Sequence, residues 1–148
     1  MIRQDYILRM IEQLLRVLAG IVALKKERLW QKLTGTLDEQ FTQLVGAGVA
    51  EVARLSETEL AARLMQGEST QFVRDKTHFL IALFKEAGDA AAAQDHEKES
   101  RAFYLTGSHL LLGIVSGGDS FEHSDFVPGL EVLVAALAEL RQRKANLP

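Results

Sequence analysis

The first proline of the chain is Pro128, and the only other is Pro148. Proline removes a backbone N–H and clashes with the preceding turn, so a chain almost free of it can run helix nearly anywhere. Ala, Leu, Glu, Gln, Lys and Arg, which lose little on entering a helix, are frequent. No run of alternating β-branched residues marks a strand. The expected fold is all-α: a helical bundle of five to seven helices, built as a single domain over 1–148. At 148 residues the chain can bury an ample core without covalent staples.

The opening MIRQDYILRMIEQLLRVLAGIVALKKERLWQKL has no proline and a single glycine. Ile7, Met10, Ile11, Leu14, Leu18 and Ile21 recur at three- and four-residue steps and form one helical stripe. Leu8, Leu15, Val17, Val22 and Leu24 lie off it, so the apolar surface is wider than one contact needs. Gly35 reads as the stop, because glycine accepts the left-handed conformation that ends helices. A continuous helix within 1–34, from Gln4 to Leu33, would span about 45 Å. A compact chain of this size has a radius of gyration of roughly 15 Å. Part of that helix must therefore project, bend or meet a partner. It is expected to be neither a leader nor an anchor: Asp5, Glu12 and Arg16 interrupt it, and Val17–Leu24 falls far short of the roughly 20 apolar residues a membrane span requires.

Beyond it, Thr36 with Glu39 and Ser56 with Glu59 read as capping boxes opening two further helices. Gly46 and Gly48 would kink the first, and Gly67 would end the second. A long helix is expected from about Thr70 to Gln94, with Phe79, Leu80, Leu83, Phe84 and Ala87 on its inner side. Asp95-His96-Glu97 makes a turn. A helix from about Lys98 to Ser116 follows, with Phe103, Tyr104, Leu110 and Leu111 inward. A last helix from about Phe126 to Lys144 carries Leu130, Leu133, Val134, Leu137 and Leu140.

The stretch LFKEAGDAAAAQDHEKESRAFYLTGSHLL resembles one tetratricopeptide repeat, within a hairpin over 70–116. Phe84 matches the bulky position of the first helix and Gly88 the small one, while Tyr104 matches the aromatic of the second and Gly107 the small residue beneath it. Ala91, Ser100 and Leu112 stand where that repeat usually has Tyr, Ala and Pro. No second copy follows at the repeat's period, so the resemblance implies a single helical hairpin and not a solenoid. MIRQDYILRMIEQL also resembles the start of small, uncharacterised bacterial all-helical proteins, a resemblance that implies no activity.

Candidate chemistry is sparse. With no cysteine there is no disulfide, thiol nucleophile or thiolate metal site. His78 has Asp75 nearby but no third ligand at fixed spacing. His96 belongs to a turn whose Asp and Glu are ordinary there. The loop from Asp119 to Asp125 lacks the spacing of a calcium loop. No Glu-x-x-His pair, G-x-S-x-G elbow or phosphate loop occurs. A net charge of −3 speaks against general nucleic-acid affinity, and Lys25, Lys26, Arg28 and Lys32 encircle their helix instead of forming a stripe.

The expectation is thus a cytoplasmic, non-enzymatic interaction or scaffold protein without cofactor or metal, with no nucleic-acid partner and no membrane span. It would form a homodimer through Ile7, Met10, Ile11, Leu14, Leu15, Leu18 and Val22. The alternative is a bundle binding a small ligand, lipid or metal in a pocket near Tyr104, His109, Glu122 and His123. A third is a protein that takes a peptide on the concave side of the hairpin.

Overall fold

Helix-forming residues meet few breakers, and helix is what results. The computed structural model describes the backbone over residues 2–65, 70–117 and 127–145, and side chains over residues 9, 12–64, 73, 75–113 and 131–142. Among the described residues there are seven helices and no strand: α1 (Ile2–Lys26), α2 (Trp30–Val45), α3 (Val49–Val52), α4 (Glu57–Met65), α5 (Thr70–Ala93), α6 (Glu97–Gly117) and α7 (Val127–Ala145). The bundle is organised around the α5–α6 hairpin, whose two helices share the most extensive contact. Helix α7 lies against α6 and α5, α4 against α6, α5 and α2, and α1 and α2 against each other and α5.

The 1–34 helix is corrected by this structure. It ends at Lys26, and α2 runs straight through Gly35 to Val45. Arg28 takes a left-handed φ of 58°. Its N–H bonds Lys25 O at 3.1 Å and the Leu29 N–H bonds Leu24 O at 3.0 Å. That pair of bonds is a Schellman stop, with an arginine where glycine is usual. Gly35 is interior to α2, so it ends nothing, and Thr36 is not a cap: its hydroxyl donates to Lys32 O within the helix. Helix α2 instead ends at Gly46, with φ 70°, its N–H on Thr42 O. Arg63 Nη1 donates to Val45 O at 2.6 Å, satisfying another carbonyl at that end.

The second box is real at its hydroxyl, since Ser56 Oγ accepts from the Glu59 N–H at 3.1 Å. Asp38 Oδ1 accepts from the Val49 N–H at 2.9 Å and so caps the short α3 from a distance. Asp95 repeats the device of Arg28: its φ is 61°, its N–H bonds Ala92 O, and the His96 N–H bonds Ala91 O. The DHE turn is therefore a second Schellman stop without glycine.

The core gathers Ile21 from α1, Leu33, Leu37 and Phe41 from α2, Leu60 and Leu64 from α4, Leu80, Leu83 and Phe84 from α5, Leu110 and Leu111 from α6, and Leu133 from α7. The Phe41 and Phe84 rings tilt at 46° with centroids 5.2 Å apart, a favourable edge-to-face-like arrangement. On α7 the expected stripe holds at Leu133 and Leu140, whereas Val134 is exposed. The Leu130 side chain and the stop expected at Gly67 lie outside the described residues.

Two substitutions test where α1 stops. Arg28→Gly should raise stability by about 1 kcal/mol, because glycine takes the left-handed conformation without steric cost. Gly35→Ala should raise it by roughly 0.5–1 kcal/mol, since a Cβ there meets open space inside a helix. Urea unfolding measures both. A continuous 1–34 helix ending at Gly35 predicts the opposite sign for each.

Candidate functional site

The helical pitch sets which α1 side chains share a face. At about 100° per residue, Leu14, Val17, Ile21 and Lys25 fall on one arc, which faces the bundle. Ile21 is fully buried there, and Leu14 and Val17 are half-buried. Leu15, Leu18 and Val22 occupy an adjoining arc of about 60°. Leu18 and Val22 are half-buried, and Leu15 is 60% exposed. Of the predicted self-association residues, Ile7, Met10 and Ile11 lie outside the described side chains.

The bundle-facing arc ends in a charge cluster. Lys25 Nζ lies 2.7 Å from Glu86 Oε2 and 3.1 Å from Asp89 Oδ2. Lys85 pairs with the same Asp89 oxygen from one turn away on α5. The Tyr104 hydroxyl of α6 donates to the other oxygen, Asp89 Oδ1, at 2.5 Å. Two ammoniums thus meet two carboxylates and a phenol, joining α1, α5 and α6 with no net charge. Burial works against the Asp89 carboxylate, but the bonds from Lys85, Tyr104 and Lys25 outweigh it and hold its carboxyl below the ordinary 3.8. Burial likewise pulls the Lys25 ammonium down, and its bonds to Glu86 and Asp89 lift it above 10.5. Burial first, then the bond to Asp89, push the Tyr104 phenol well above its usual value.

Close backbone approach makes this possible. A Cβ at Gly88 would stand 2.2 Å from Tyr104 Cε1, so only glycine admits the ring. Ser100 Oγ donates to Gly88 O at 2.7 Å, and Gly107 lies against Phe84 and Leu133. Gly88, Ser100 and Tyr104 thus meet across the hairpin, while Gly107 packs elsewhere along it.

The expected ligand pocket does not assemble among the described residues. Tyr104 and His109, five residues apart, point about 140° from each other around α6. Tyr104 is buried against Asp89, while His109 is exposed in an open groove of about 590 Å³ beside Leu55, Ser56 and Glu57. Glu122 and His123 lie outside the described residues. A different, more apolar cleft of about 410 Å³ opens between α2, α3, α5 and α6. Its walls are largely alanine (Ala50, Ala53, Ala87, Ala90, Ala91, Ala102), and Arg54, His96 and Glu99 stand at its rim. The bond from Thr106 Oγ1 to Ala53 O, 3.0 Å, fixes α3 against α6 beside it.

Sequence reasoning missed Lys25, Lys85, Glu86 and Asp89. Only the i, i+4 spacing of Lys85 and Asp89 was there to find. Among the described residues no three His, Asp or Glu side chains are placed to hold a metal, and no helix is long and apolar enough to cross a membrane. No protein-family model, curated protein or solved structure matches the chain.

The cluster predicts a stability profile with two distinct limits. Asp89 contributes fully above its unfolded value near 3.8 and loses that contribution as pH falls through the lower folded value. Tyr104 contributes fully below about 10 and loses it as pH rises through the raised folded value. Thermal melts across pH should show Asp89→Asn flattening the acid limb and Tyr104→Phe flattening the alkaline limb. Each variant should be less stable than the parent at pH 7.

Proposed function

We propose that the chain is a non-enzymatic interaction protein that self-associates through α1. One observation carries this. On the described part of α1, Ile21 is the one fully buried apolar side chain, while Leu14, Val17, Leu18 and Val22 are half-covered and Leu15 is largely bare. This helix is about 37 Å long, and the bundle covers one arc of it. A second surface would add burial at Leu15 and its neighbours, at about 1.5–3 kcal/mol for each large aliphatic side chain fully covered. The charge cluster supports the same reading, because it fixes the C-terminal end of α1 and so presents the outer stripe in a defined orientation.

A ligand-binding bundle remains the second reading, and the alanine-walled cleft favours it over the surroundings of His109. Its volume falls within the range of small-molecule sites.

Light scattering tests the proposal. The parent chain should have the mass of a dimer. Leu15→Asp, at a 60% exposed position, should give a monomer whose circular dichroism and melting temperature are close to those of the parent at high dilution. A monomeric parent would overturn the proposal, and an unchanged dimer in Leu15→Asp would remove this stripe from it.

A further inference from the structure

The alanine-walled cleft has an apolar floor and a charged mouth. Ala87, Ala90 and Ala91 come from one face of α5, and Leu37 and Phe103 close in from α2 and α6; all five are buried. Alanine at each of these α5 positions leaves space that a larger side chain would fill, here about 410 Å³. Water finds few hydrogen-bond partners over such a floor, so an apolar group is its better occupant.

Two opposite charges stand at the mouth. Arg54 lies in the turn between α3 and α4, and Glu99 in the first turn of α6. The bond from Thr106 Oγ1 to Ala53 O pins the start of the Arg54 turn to α6. Glu99 is seven residues before Thr106, hence on the same side of α6 and about 10 Å along its axis. Neither the Arg54 guanidinium nor the Glu99 carboxylate has a hydrogen-bond or ion-pair partner among the described residues, and they do not pair with each other. His96, at the same rim, offers a further donor or acceptor. A simple anion over this floor would bring its charge beside Glu99, and a simple amine would bring its own beside Arg54, so like charges would count against both. An uncharged apolar molecule would strip water from both charges and give nothing back. A zwitterion meets both.

Resting on the second reading above, that this cleft holds a ligand, we propose that it takes a large apolar α-amino acid in its free, zwitterionic form. The apolar side chain lies over the alanines, the carboxylate meets Arg54 and the ammonium meets Glu99. Both charges of such a molecule sit on one carbon, whereas each end of a peptide offers only one of them. The cleft volume falls in the range of small-molecule sites. Its lining includes no residue of α1, so the proposal does not depend on self-association.

Titration calorimetry tests this with three probes: L-phenylalanine, hydrocinnamate, which lacks the ammonium, and phenethylamine, which lacks the carboxylate. L-Phenylalanine is expected to bind one site with a Kd below about 1 mM, and each analogue to bind about tenfold or more weakly. Arg54→Gln should weaken L-phenylalanine and hydrocinnamate but spare phenethylamine. Glu99→Gln should weaken L-phenylalanine and phenethylamine but spare hydrocinnamate. Both side chains are exposed and unbonded among the described residues, so both variants should keep the circular dichroism of the parent. An analogue that binds as tightly as L-phenylalanine, or more so, overturns the zwitterion while leaving the cleft a ligand site. L-Phenylalanine binding that both variants leave unchanged places the probe elsewhere and overturns the assignment. If none of the three probes binds at millimolar concentration, the ligand reading of the cleft itself fails.

Discussion

Asp89 is the group on which the arrangement of helices depends. Its carboxylate takes Tyr104 on one oxygen and both Lys25 and Lys85 on the other, which binds three helices through one side chain. Removing Asp89 would take this partner from Lys85, Lys25 and the Tyr104 hydroxyl together, a loss of about 3–5 kcal/mol for a fully buried pair and less where water still reaches. The contact needs Tyr104 close to α5, and that closeness needs Gly88. Small residues on α5 therefore serve two ends. They let α6 approach on one side, and they leave the alanine-walled cleft open on the other.

The same cluster decides how α1 meets solvent. A helix held by apolar contacts alone could roll to bury its widest face. Lys25, fixed between Glu86 and Asp89, sets the rotation about the helix axis. Ile21 then points into the core and Leu15 outward. The exposure of Leu15 is in this sense a consequence of a half-buried polar contact. Stability within the chain and availability for a partner come from adjoining arcs of one helix.

Much of the fold was legible from residues. The α5–α6 hairpin could be placed within a residue or so because strong helical periodicity on both sides brackets a short polar turn. Gly88 and Tyr104 stood out in the sequence only through a resemblance, and the structure places the ring of one against the backbone of the other. The end of α1 was not legible. A left-handed stop usually announces itself with glycine, but here Arg28 and Asp95 take that role, while the real glycine at position 35 continues a helix. Local propensity points the wrong way at both places, and tertiary packing overrides it. The charge cluster was illegible for another reason: Lys25 and Asp89 are 64 residues apart, and nothing local in either marks the other as a partner. The pocket expected around Tyr104 and His109 treated neighbours in sequence as neighbours in space, which a helix does not allow.

The central claim is that α1 completes its burial on another copy of itself. Amide hydrogen exchange followed across protein concentration tests this most directly, because pairing stabilises α1 in proportion to the dimer present. The account predicts that protection over residues 8–22 rises with concentration while protection over residues 79–92 and 100–111 stays constant. Exchange on α1 that is independent of concentration, in samples spanning dilute to concentrated protein, would contradict it.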